Sequence, residues 1–463
     1  MKRDFVIIGA GPAGMAAATQ AAELGLYVTV LDEQLRAGGQ IYRDVDRASK
    51  SRGNILGADY TDGARLTEHL RQSGVEHISG AVVWAIEDEF RISYTCEGRG
   101  AQIEADRILL ATGALERPMP IPGWTLPGVM TAGAGQILLK QSGVVAQRAV
   151  LVGAGPLLYL IAAQMVRAGT PPAAMVETQT RGDMIRGLRH VKGGLQGWHY
   201  MAKGLRMLAE VKRAMVPRYT SATEIGIEGE GKAEVVTFTH KGRTQRIGCE
   251  TVFLHHGVVP NTQAARSLGI SHRWDMGQAS FVPVLDDWGQ SDVAGVFVAG
   301  DGAGIGGAKA AEHAGRLVAL KVAENAKRLT TKDCNLMAAP LRRALARELA
   351  ARPFLDAAYP PYETAVRPAD NTVICRCEEI TAGDIRSYAN LGCLGPNQTK
   401  AFGRAGMGPC QGRYCGLTVT ALLADANGQS PDETGYYRIR PPLKPVTLGE
   451  LAAMDDPTQD TAE

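Results

Sequence analysis

The sequence has no excess of charge of either sign. Its 463 residues contain 50 Lys and Arg against 48 Asp and Glu, which gives a net charge of +2. A nucleic-acid-binding protein would show a basic excess, so this balance argues against a nucleic-acid partner. There is no low-complexity tract, and 45% apolar with 21% charged residues is typical of a globular chain. The length allows about three domains.

The sequence also lacks a recognisable leader or membrane span. The apolar run of residues 5–8 leads directly into a turn at Gly9, so we expect no targeting peptide and a cytoplasmic location. One uncharged stretch, residues 149–166, has the length of a short span. Because Gly153-Ala154-Gly155-Pro156 would break a helix in its first third, we expect a buried strand, turn and helix there instead.

A glycine-rich turn follows the first predicted strand and opens a helix. In a G-x-G-x-x-G turn the first glycine makes the turn, the second admits a pyrophosphate and the third lets helix and strand pack closely. The positive end of the helix dipole then faces the phosphates. An acidic pair ends the next strand, where a carboxylate binds the adenosine ribose. The residues of this predicted site are Gly9, Gly11, Pro12, Ala13, Gly14, Asp32 and Glu33.

Further glycine motifs lie beyond this turn. Thr112-Gly113 and Gly300-Asp301 each follow an apolar strand, and Gly38-Gly39-Gln40 follows the acidic pair. Together the motifs resemble the two-dinucleotide-binding flavoproteins of the thioredoxin reductase and glutathione reductase class. The resemblance implies an α/β fold, bound FAD, Asp301 at the ribityl or pyrophosphate region and Gly38-Gly39-Gln40 beside the flavin. For Asp301 a simple helix cap is the alternative. No acid–base pair is evident near these motifs, so the catalytic residues are unassigned.

A second βαβ pattern recurs at residues 149–177, with Gly153 and Gly155 in the turn and Glu177 in the ribose position. The third glycine position is occupied by Leu158, which puts close helix–strand packing and phosphate approach in doubt. Bound NAD, another adenine nucleotide such as ATP, and an empty relic of a site all remain open. The strand-end histidines His255 and His256, near the expected flavin, are interpreted as packed or hydrogen-bonded residues rather than a catalytic base.

A redox pair of the C-x-x-C type is missing. Cys96 and Cys249 are isolated and are interpreted as small buried residues, so disulfide reduction is excluded. Five of the eight cysteines fall within residues 375–415, and clustered cysteines in a chain without an export signal favour metal ligands over disulfides. Cys393 has no partner at a ligand spacing and is interpreted as a packing residue.

The other four clustered cysteines form C-x-C and C-x4-C pairs. Four thiolates suit a [2Fe–2S] cluster, and nearby glycines and arginines could supply N–H donors and offset its negative charge. Zinc and free thiols are the alternatives. The stretch resembles a small bacterioferritin-associated-ferredoxin-like [2Fe–2S] domain, in which C-x2-C is the commoner second pair. The predicted ligands are Cys375, Cys377, Cys410 and Cys415.

Nearly the whole chain resembles one family, the FAD-containing A subunits of opine oxidases that act on octopine and nopaline. Its relatives are hydrogen cyanide synthase, D-hydroxyproline dehydrogenase and heterotetrameric sarcosine oxidase. The more specific matching stretches are LVGAGPLLYLIAAQ, CRCEEIT, GMGPCQGRYCG and RIRPPLKPVTLGELA.

This resemblance implies that a partner B subunit, which is a flavoprotein of the D-amino-acid-oxidase type, oxidises a small-molecule opine or related amine. This chain would then pass electrons between that partner and an acceptor. A small third subunit, FMN at the partner interface and peripheral attachment to the inner membrane through the complex are further expectations. A self-contained NAD(P)H-dependent flavoprotein reductase is the alternative.

The motifs predict a discontinuous arrangement of domains. An FAD-binding domain is expected over residues 1–125 and 251–330, with a nucleotide-binding domain over 126–250 inserted into it. A helical linker (331–370), the [2Fe–2S] domain (371–420) and a C-terminal tail (421–463) follow. The basic residues after the second nucleotide strand are interpreted as a solvated loop; they are Arg181, Arg186, Arg189, His190 and Lys192.

Overall fold

The computed structural model describes residues 2–454, so the acidic end of the sequence, predicted to fray, lies outside the described residues. The strands are β1 (Phe5–Ile8), β2 (Val28–Asp32), β3 (Glu76–Ser79), β4 (Val82–Ile86), β5 (Arg91–Cys96), β6 (Arg99–Glu104), β7 (Ile108–Leu110), β8 (Ala114–Glu116), β9 (Val129–Thr131), β10 (Ala149–Gly153), β11 (Ala174–Glu177), β12 (Arg218–Tyr219), β13 (Thr223–Glu228), β14 (Val235–His240), β15 (Arg243–Gly248), β16 (Thr251–His255), β17 (Val258–Pro260), β18 (His272–Asp275), β19 (Ser280–Pro283), β20 (Val296–Val298), β21 (Val373–Cys375) and β22 (Ile380–Thr381).

Helices alternate with these strands and dominate the last third of the chain. They are α1 (Pro12–Glu23), α2 (Val45–Leu56), α3 (Ala58–Thr61), α4 (Gly63–Gln72), α5 (Ala132–Ser142), α6 (Pro156–Arg167), α7 (Arg181–Leu188), α8 (Val191–Gln196), α9 (Trp198–Arg213), α10 (Gln263–Ser267), α11 (Ala308–Asn325), α12 (Thr331–Leu349), α13 (Arg352–Ala358), α14 (Glu363–Val366), α15 (Ala382–Asn390), α16 (Pro396–Gly403), α17 (Gly416–Asn427), α18 (Pro431–Thr434) and α19 (Leu448–Ala452). None of those within residues 2–454 is long and apolar enough to cross a bilayer.

The first unit is built on a parallel sheet with the strand order β20-β7-β1-β2-β3. Its central strands are apolar on both faces, as expected for a parallel sheet covered by helices. The helices α1 and α11 pack on each other against it. The antiparallel strands β4-β5-β6 form a small second sheet beside it. The carboxyl ends of β1, β7 and β20 meet at one edge, where a ligand binds in this class of sheet.

The second unit repeats this plan with the order β12-β11-β10-β16-β9, again parallel. Strand β16 lies between β10 and β9, so residues 251–255 belong to the second sheet and not to the first, across the boundary drawn at residue 250. The antiparallel strands β13-β14-β15 close this unit, and the pair β8 and β17 joins it to the first. The α/β fold with two dinucleotide-type domains is confirmed.

The C-terminal unit is small and mostly helical. Its core is continuous with that of the first unit, since Val6 and Leu110 belong to the same buried cluster as Ile385 and Leu423. Helix α17 runs across the boundary drawn at residue 420. The extended segment after α18 returns to the first unit, where the Leu443 N–H donates to the Trp84 carbonyl at 2.6 Å. This return places the cysteine segment against the first sheet.

Candidate functional site

The first glycine turn is shaped by close approaches that leave no room for side chains. A Cβ on Gly9 would lie 2.5 Å from the Ala111 carbonyl oxygen, and one on Gly14 would lie 1.9 Å from the Gly9 carbonyl oxygen. A Cβ on Gly11 would meet only the Cα of Gly39, at 4.0 Å. The backbone of Gly11 is therefore open to a ligand. Helix α1 starts directly behind it with Pro12 and Ala13, so its positive end faces the same space.

The acidic pair divides into a buried and an exposed carboxylate. Asp32 Oδ2 accepts the Ala10 N–H at 2.5 Å and Oδ1 accepts the Gln34 N–H at 2.6 Å. Burial raises the pKa of Asp32. A carboxylate accepts about four hydrogen bonds, so Asp32 keeps room for two hydroxyl donors. Glu33 is exposed and pairs with Lys444 at 2.8 Å, which ties the C-terminal segment to this edge.

Asp301 and Thr112-Gly113 lie together at the same edge. Asp301 Oδ1 accepts the N–H groups of Gly306 and Gly307, both at 2.9 Å, just before α11. Within residues 2–454 no donor reaches Oδ2, so Asp301 both caps this loop and keeps one oxygen for a ligand. The loop that begins at Gly300 packs on Thr112-Gly113. The approach is close: a Cβ on Gly302 would lie 3.4 Å from the Gly113 carbonyl oxygen.

The segment Gly38-Gly39-Gln40 covers the first turn. The Gly38 N–H donates to the Ala10 carbonyl at 2.8 Å, and a Cβ on Gly39 would lie 2.9 Å from the Gly11 Cα. From the second unit, Lys140 Nζ donates to the carbonyls of Gln40 and Ile41 at 3.0 and 2.9 Å. Burial lowers the pKa of Lys140 to about 7. The second unit therefore holds the loop that borders the first site.

The second turn is occupied by the protein's own side chains. The Glu177 carboxylate is fully buried and accepts two bonds from Arg218, at 2.6 and 3.0 Å. It also accepts the Tyr159 hydroxyl at 2.9 Å and the Gln179 amide. Three of these four bonds go to Oε2 and one goes to Oε1, so most of the acceptor capacity of Glu177 is used within the protein. Leu158, at the third glycine position, is buried in the core behind the turn.

A histidine–carboxylate couple lies beneath the same turn. His255 Nδ1 and Glu116 Oε1 are 2.6 Å apart, and Glu116 Oε2 accepts the Gly133 N–H at 2.7 Å near the start of α5. A Cβ on Gly155 would lie 3.3 Å from His255 Nε2. The sequence predicted a packed or hydrogen-bonded His255 but not its partner Glu116, because 139 residues separate the two.

His256, the next residue, is buried and engaged on both ring nitrogens. Nε2 bonds the Pro118 carbonyl at 2.7 Å and Nδ1 accepts the Tyr362 N–H at 3.1 Å. Burial and the nearby Arg117 lower the pKa of His256 to about 3. The ring therefore stays neutral and has no free nitrogen for proton transfer.

The four predicted ligand cysteines converge at one end of the C-terminal unit. Cys377 Sγ and Cys410 Sγ are 3.9 Å apart. A hydrogen bond with Cys415 and the N–H groups around it lower the pKa of Cys375 to about 6. The same bond and burial raise the pKa of Cys415. Cys393 is fully buried elsewhere and donates to the Gly395 carbonyl at 3.5 Å.

Glycines around the thiols have two different roles. Gly406 supplies an N–H to Cys375, as the sequence predicted for a thiolate-rich site. The glycines at 412 and 416 instead make room for Tyr437 and Tyr436, since a Cβ would lie within 2.3 Å of either ring. As placed, no three His, Cys, Asp or Glu side chains of residues 2–454 are arranged to hold a metal ion. The thiols converge without forming a ready-made metal site.

The cysteine segment packs on the first dinucleotide site. Gln263, on α10, donates to the Gln411 carbonyl at 3.5 Å. Asn261, two residues earlier, accepts the Thr112 hydroxyl on its carbonyl at 3.2 Å. Arg413 shares a small cavity with Pro260 of β17. The loop between Cys410 and Cys415 is therefore connected to Thr112 through residues 260–263.

A cavity of about 1470 Å³ opens between the first unit and the helices that follow it. It reaches Asp301 and Gly306 at the start of α11, and it is bordered by α13 and α17. Arg117 lines it and donates to the carbonyls of Gln278 and Ala279 at 2.8 and 3.0 Å. The cavity therefore connects the edge of the first site with the C-terminal unit.

Two family models match the chain. The pyridine nucleotide-disulphide oxidoreductase model covers residues 3–316, which includes both glycine turns. The sarcosine oxidase A3 domain model covers residues 370–455, which includes the cysteine segment.

Curated relatives match over nearly the full length. The A subunit of opine oxidase from Agrobacterium tumefaciens (strain Ach5) is 44% identical over 97% of this chain and 91% of that protein. The HcnB subunit of hydrogen cyanide synthase from Pseudomonas aeruginosa is 33% identical over 95% and 96%. Among solved structures, L-proline dehydrogenase from P. horikoshii superposes with a TM-score of 0.72 over 97% of this chain and 79% of that chain, at 19% identity.

Proposed function

The chain belongs to the pyridine nucleotide-disulphide oxidoreductase family and, within it, to the opine oxidase A subunits, and from this premise we propose that it is the electron-transferring subunit of a heteromeric dehydrogenase. The substrate class is an opine such as octopine or nopaline, or a related secondary amine or imino acid. The observation that supports this function is the hydrogen bond from Gln263 to the Gln411 carbonyl, because Gln263 lies two residues after Asn261, whose carbonyl accepts the Thr112 hydroxyl.

The first site is the one we assign to FAD, which the family match supports. The open Gly11 backbone, the spare acceptor capacity of Asp32 and the free oxygen of Asp301 all fit a dinucleotide. A bound flavin supplies hydride and single-electron chemistry. The residues proposed to hold it are Gly9, Gly11, Pro12, Ala13, Gly14, Asp32, Glu33, Gly38, Gly39, Gln40, Thr112, Gly113, Gly300 and Asp301.

The converging thiols are proposed to ligate one [2Fe–2S] centre. Four soft sulfur donors and a thiol whose pKa is lowered to about 6 fit a thiolate-bound metal. The proposed ligands are Cys375, Cys377, Cys410 and Cys415. Zinc would use the same donors, so metal analysis decides between them.

We propose that the second turn holds its own unit together rather than a nucleotide ribose. Glu177 already accepts four hydrogen bonds from Arg218, Tyr159 and Gln179, which argues against NAD or ATP bound through Gly153, Gly155 and Glu177 in the usual manner. A self-contained NAD(P)H-dependent reductase would need a nicotinamide nucleotide at this turn, so the hydrogen bonds of Glu177 also argue against that function.

The remaining parts of the proposal come from the family. The B partner is a D-amino-acid-oxidase-like flavoprotein, with a small third subunit and with FMN at the interface. The domain boundaries also stay proposals, with one change: we place the end of the second domain after His255, because β16 pairs within its sheet.

Anaerobic mixing tests the division of labour. We expect the full-length chain alone to stay oxidised with octopine, nopaline, D-hydroxyproline or sarcosine, and to be reduced by one of them once the partner subunit is present. We also expect NADH alone to leave the flavin absorbance unchanged. Rapid bleaching by NADH would support the reductase, and bleaching by an amine without the partner would contradict the proposal.

The cluster has its own test, with a matched control. Cys410→Ser should remove iron, acid-labile sulfide and the cluster absorbance from the full-length protein, and should make residues 371–420 more sensitive to protease. Cys393→Ser should leave all of these unchanged, since Cys393 donates to the Gly395 carbonyl and has no hydrogen bond with another thiol within residues 2–454. Zinc in place of iron, or equal effects of the two substitutions, would rule out this ligand set.

A further inference from the structure

Large apolar side chains point outward along the segment from α7 to α9. They are spread over the three successive helices, which are separated by short breaks at residues 189–190 and at Gly197. Each is between 39% and 69% exposed. We call this surface the outer helical face; its residues are Met184, Leu188, Val191, Leu195, Trp198 and Leu205.

The inward side of the same helices is lined by glycine. Gly187 and Gly194 are buried against Phe354, and a Cβ on Gly197 would lie 2.6 Å from the Cβ of Ala351. An ordinary surface helix turns its large apolar residues towards the core. Here the glycines allow α7 and α8 to pack closely on α13 while the large apolar residues face away. The exposed apolar surface is therefore not left over from core packing.

The segment is also strongly basic, in contrast to the balanced chain. Residues 181–213 contain eight Lys and Arg and only two acidic residues. Both acidic residues are engaged, Asp183 by Arg186 and Glu210 by Arg167. Most of the basic residues of the segment are exposed and have no ion-pair partner within residues 2–454; these are Arg181, Arg189, Lys192, Arg206, Lys212 and Arg213. The basic residues that the sequence assigned to a loop thus lie on or beside α7 and α8.

We propose that the outer helical face binds an anionic membrane surface directly. An interfacial helix combines an apolar face, Lys and Arg beside it and an aromatic residue at the level of the lipid headgroups, and Trp198 supplies the last of these. A protein partner would need an acidic surface along the whole length of the segment, whereas an anionic bilayer supplies negative charge at every point. Arg186 and His190 also line the large cavity, so this contact would turn the cavity towards the membrane.

Vesicle sedimentation of the full-length protein tests the proposal. We expect at least a roughly tenfold higher bound fraction on vesicles of phosphatidylcholine with phosphatidylglycerol than on phosphatidylcholine alone, and a fall at high salt. The double substitution Leu188→Asp with Leu195→Asp should lower binding by a similar factor. Leu336→Asp is the control, because Leu336 is 72% exposed on α12, away from the segment.

Thermal unfolding of each variant shows whether it is folded, since all three positions are exposed. No preference of the wild type for anionic vesicles, or an equal loss with Leu336→Asp, would overturn the proposal. The proposal would also fail if the double variant kept vesicle binding but lost the co-purifying partner subunit. In that case the outer helical face would be a protein interface.

Discussion

The two glycine turns occupy equivalent places in their sheets but differ in what fills them. Gly9 and Gly153 follow matching central strands, and both have positive φ, at 107° and 128°. After that the backbones diverge, since Gly11 has φ −75° and Gly155 has φ +117°. In the first turn the space beside Gly11 is open, since a Cβ there would meet only the Cα of Gly39, at 4.0 Å. In the second, an imidazole lies against Gly155.

The matching carboxylates differ in the same way. Asp32 has two backbone donors and no ion pair within residues 2–454, whereas Glu177 accepts four hydrogen bonds, two of them from an arginine. A sequence fingerprint therefore identifies a turn, but the hydrogen bonds left unused decide whether the turn can bind a ligand. Exchanging features between the two turns tests this conclusion.

The largest effect should come from replacing Gly14 by leucine, the residue that the second turn has at the same position of the motif, Leu158. Gly14→Leu would place a Cβ 1.9 Å from the Gly9 carbonyl oxygen, a backbone atom that cannot move aside. Such overpacking should displace the helix start, so we expect flavin occupancy below roughly a tenth of the wild-type level. The flavin-to-protein absorbance ratio of the purified full-length chain measures it.

The matched change in the second turn is Leu158→Ala. It should cost about 2–5 kcal/mol of stability through loss of a buried side chain, with no change in flavin content. If Leu158→Ala removed flavin as completely as Gly14→Leu, the contrast between the turns would be wrong.

The second prediction concerns the two carboxylates. Glu177→Gln should lower the free energy of unfolding by about 2 kcal/mol, because it removes the charged acceptor of the two hydrogen bonds from Arg218. Flavin content should not change. Urea unfolding followed by circular dichroism and by flavin absorbance measures both quantities.

Asp32→Asn should instead act mainly on flavin binding. It should weaken flavin binding by roughly tenfold through loss of an ionised acceptor, with a smaller effect on unfolding. A result in which both substitutions acted mainly on flavin would show that Glu177 also contacts the cofactor.

The sequence was sufficient for features that depend on neighbouring residues. Both βαβ patterns could be predicted, because glycine turns and apolar strands are local signals. The C-x-C and C-x4-C motifs are local in the same way. The ion pair of Glu177 with Arg218 could not be predicted, since the two residues are 41 positions apart in the sequence. Helices α7 and α8 were missed because their glycines disfavour helix until they pack against α13.

The third prediction concerns the contact between the two units. Lys140 has a folded-state pKa of about 7, lowered by burial, against about 10.4 in an unfolded chain. Between these values the unfolded chain binds up to one more proton, so stability should rise with pH by up to about 1.4 kcal/mol per unit. Lys140→Met should flatten this slope. Urea midpoints between pH 7 and 9.5 give the comparison, and an unchanged slope would show that Lys140 stays charged throughout.

The smallest effect should come from the couple beneath the second turn. In Glu116→Gln the neutral amide still accepts one hydrogen bond, from either His255 or Gly133, but the charge-assisted bond to Nδ1 is lost. We expect a loss of about 1–2 kcal/mol in the free energy of unfolding. The nitrogen chemical shifts of His255 should report a changed proton distribution between Nδ1 and Nε2. Flavin content should stay at the wild-type level, because the imidazole lies against Gly155 and not against Gly11. A loss of flavin here would mean that the couple supports the first site, and that the two turns are coupled through β8 and β17.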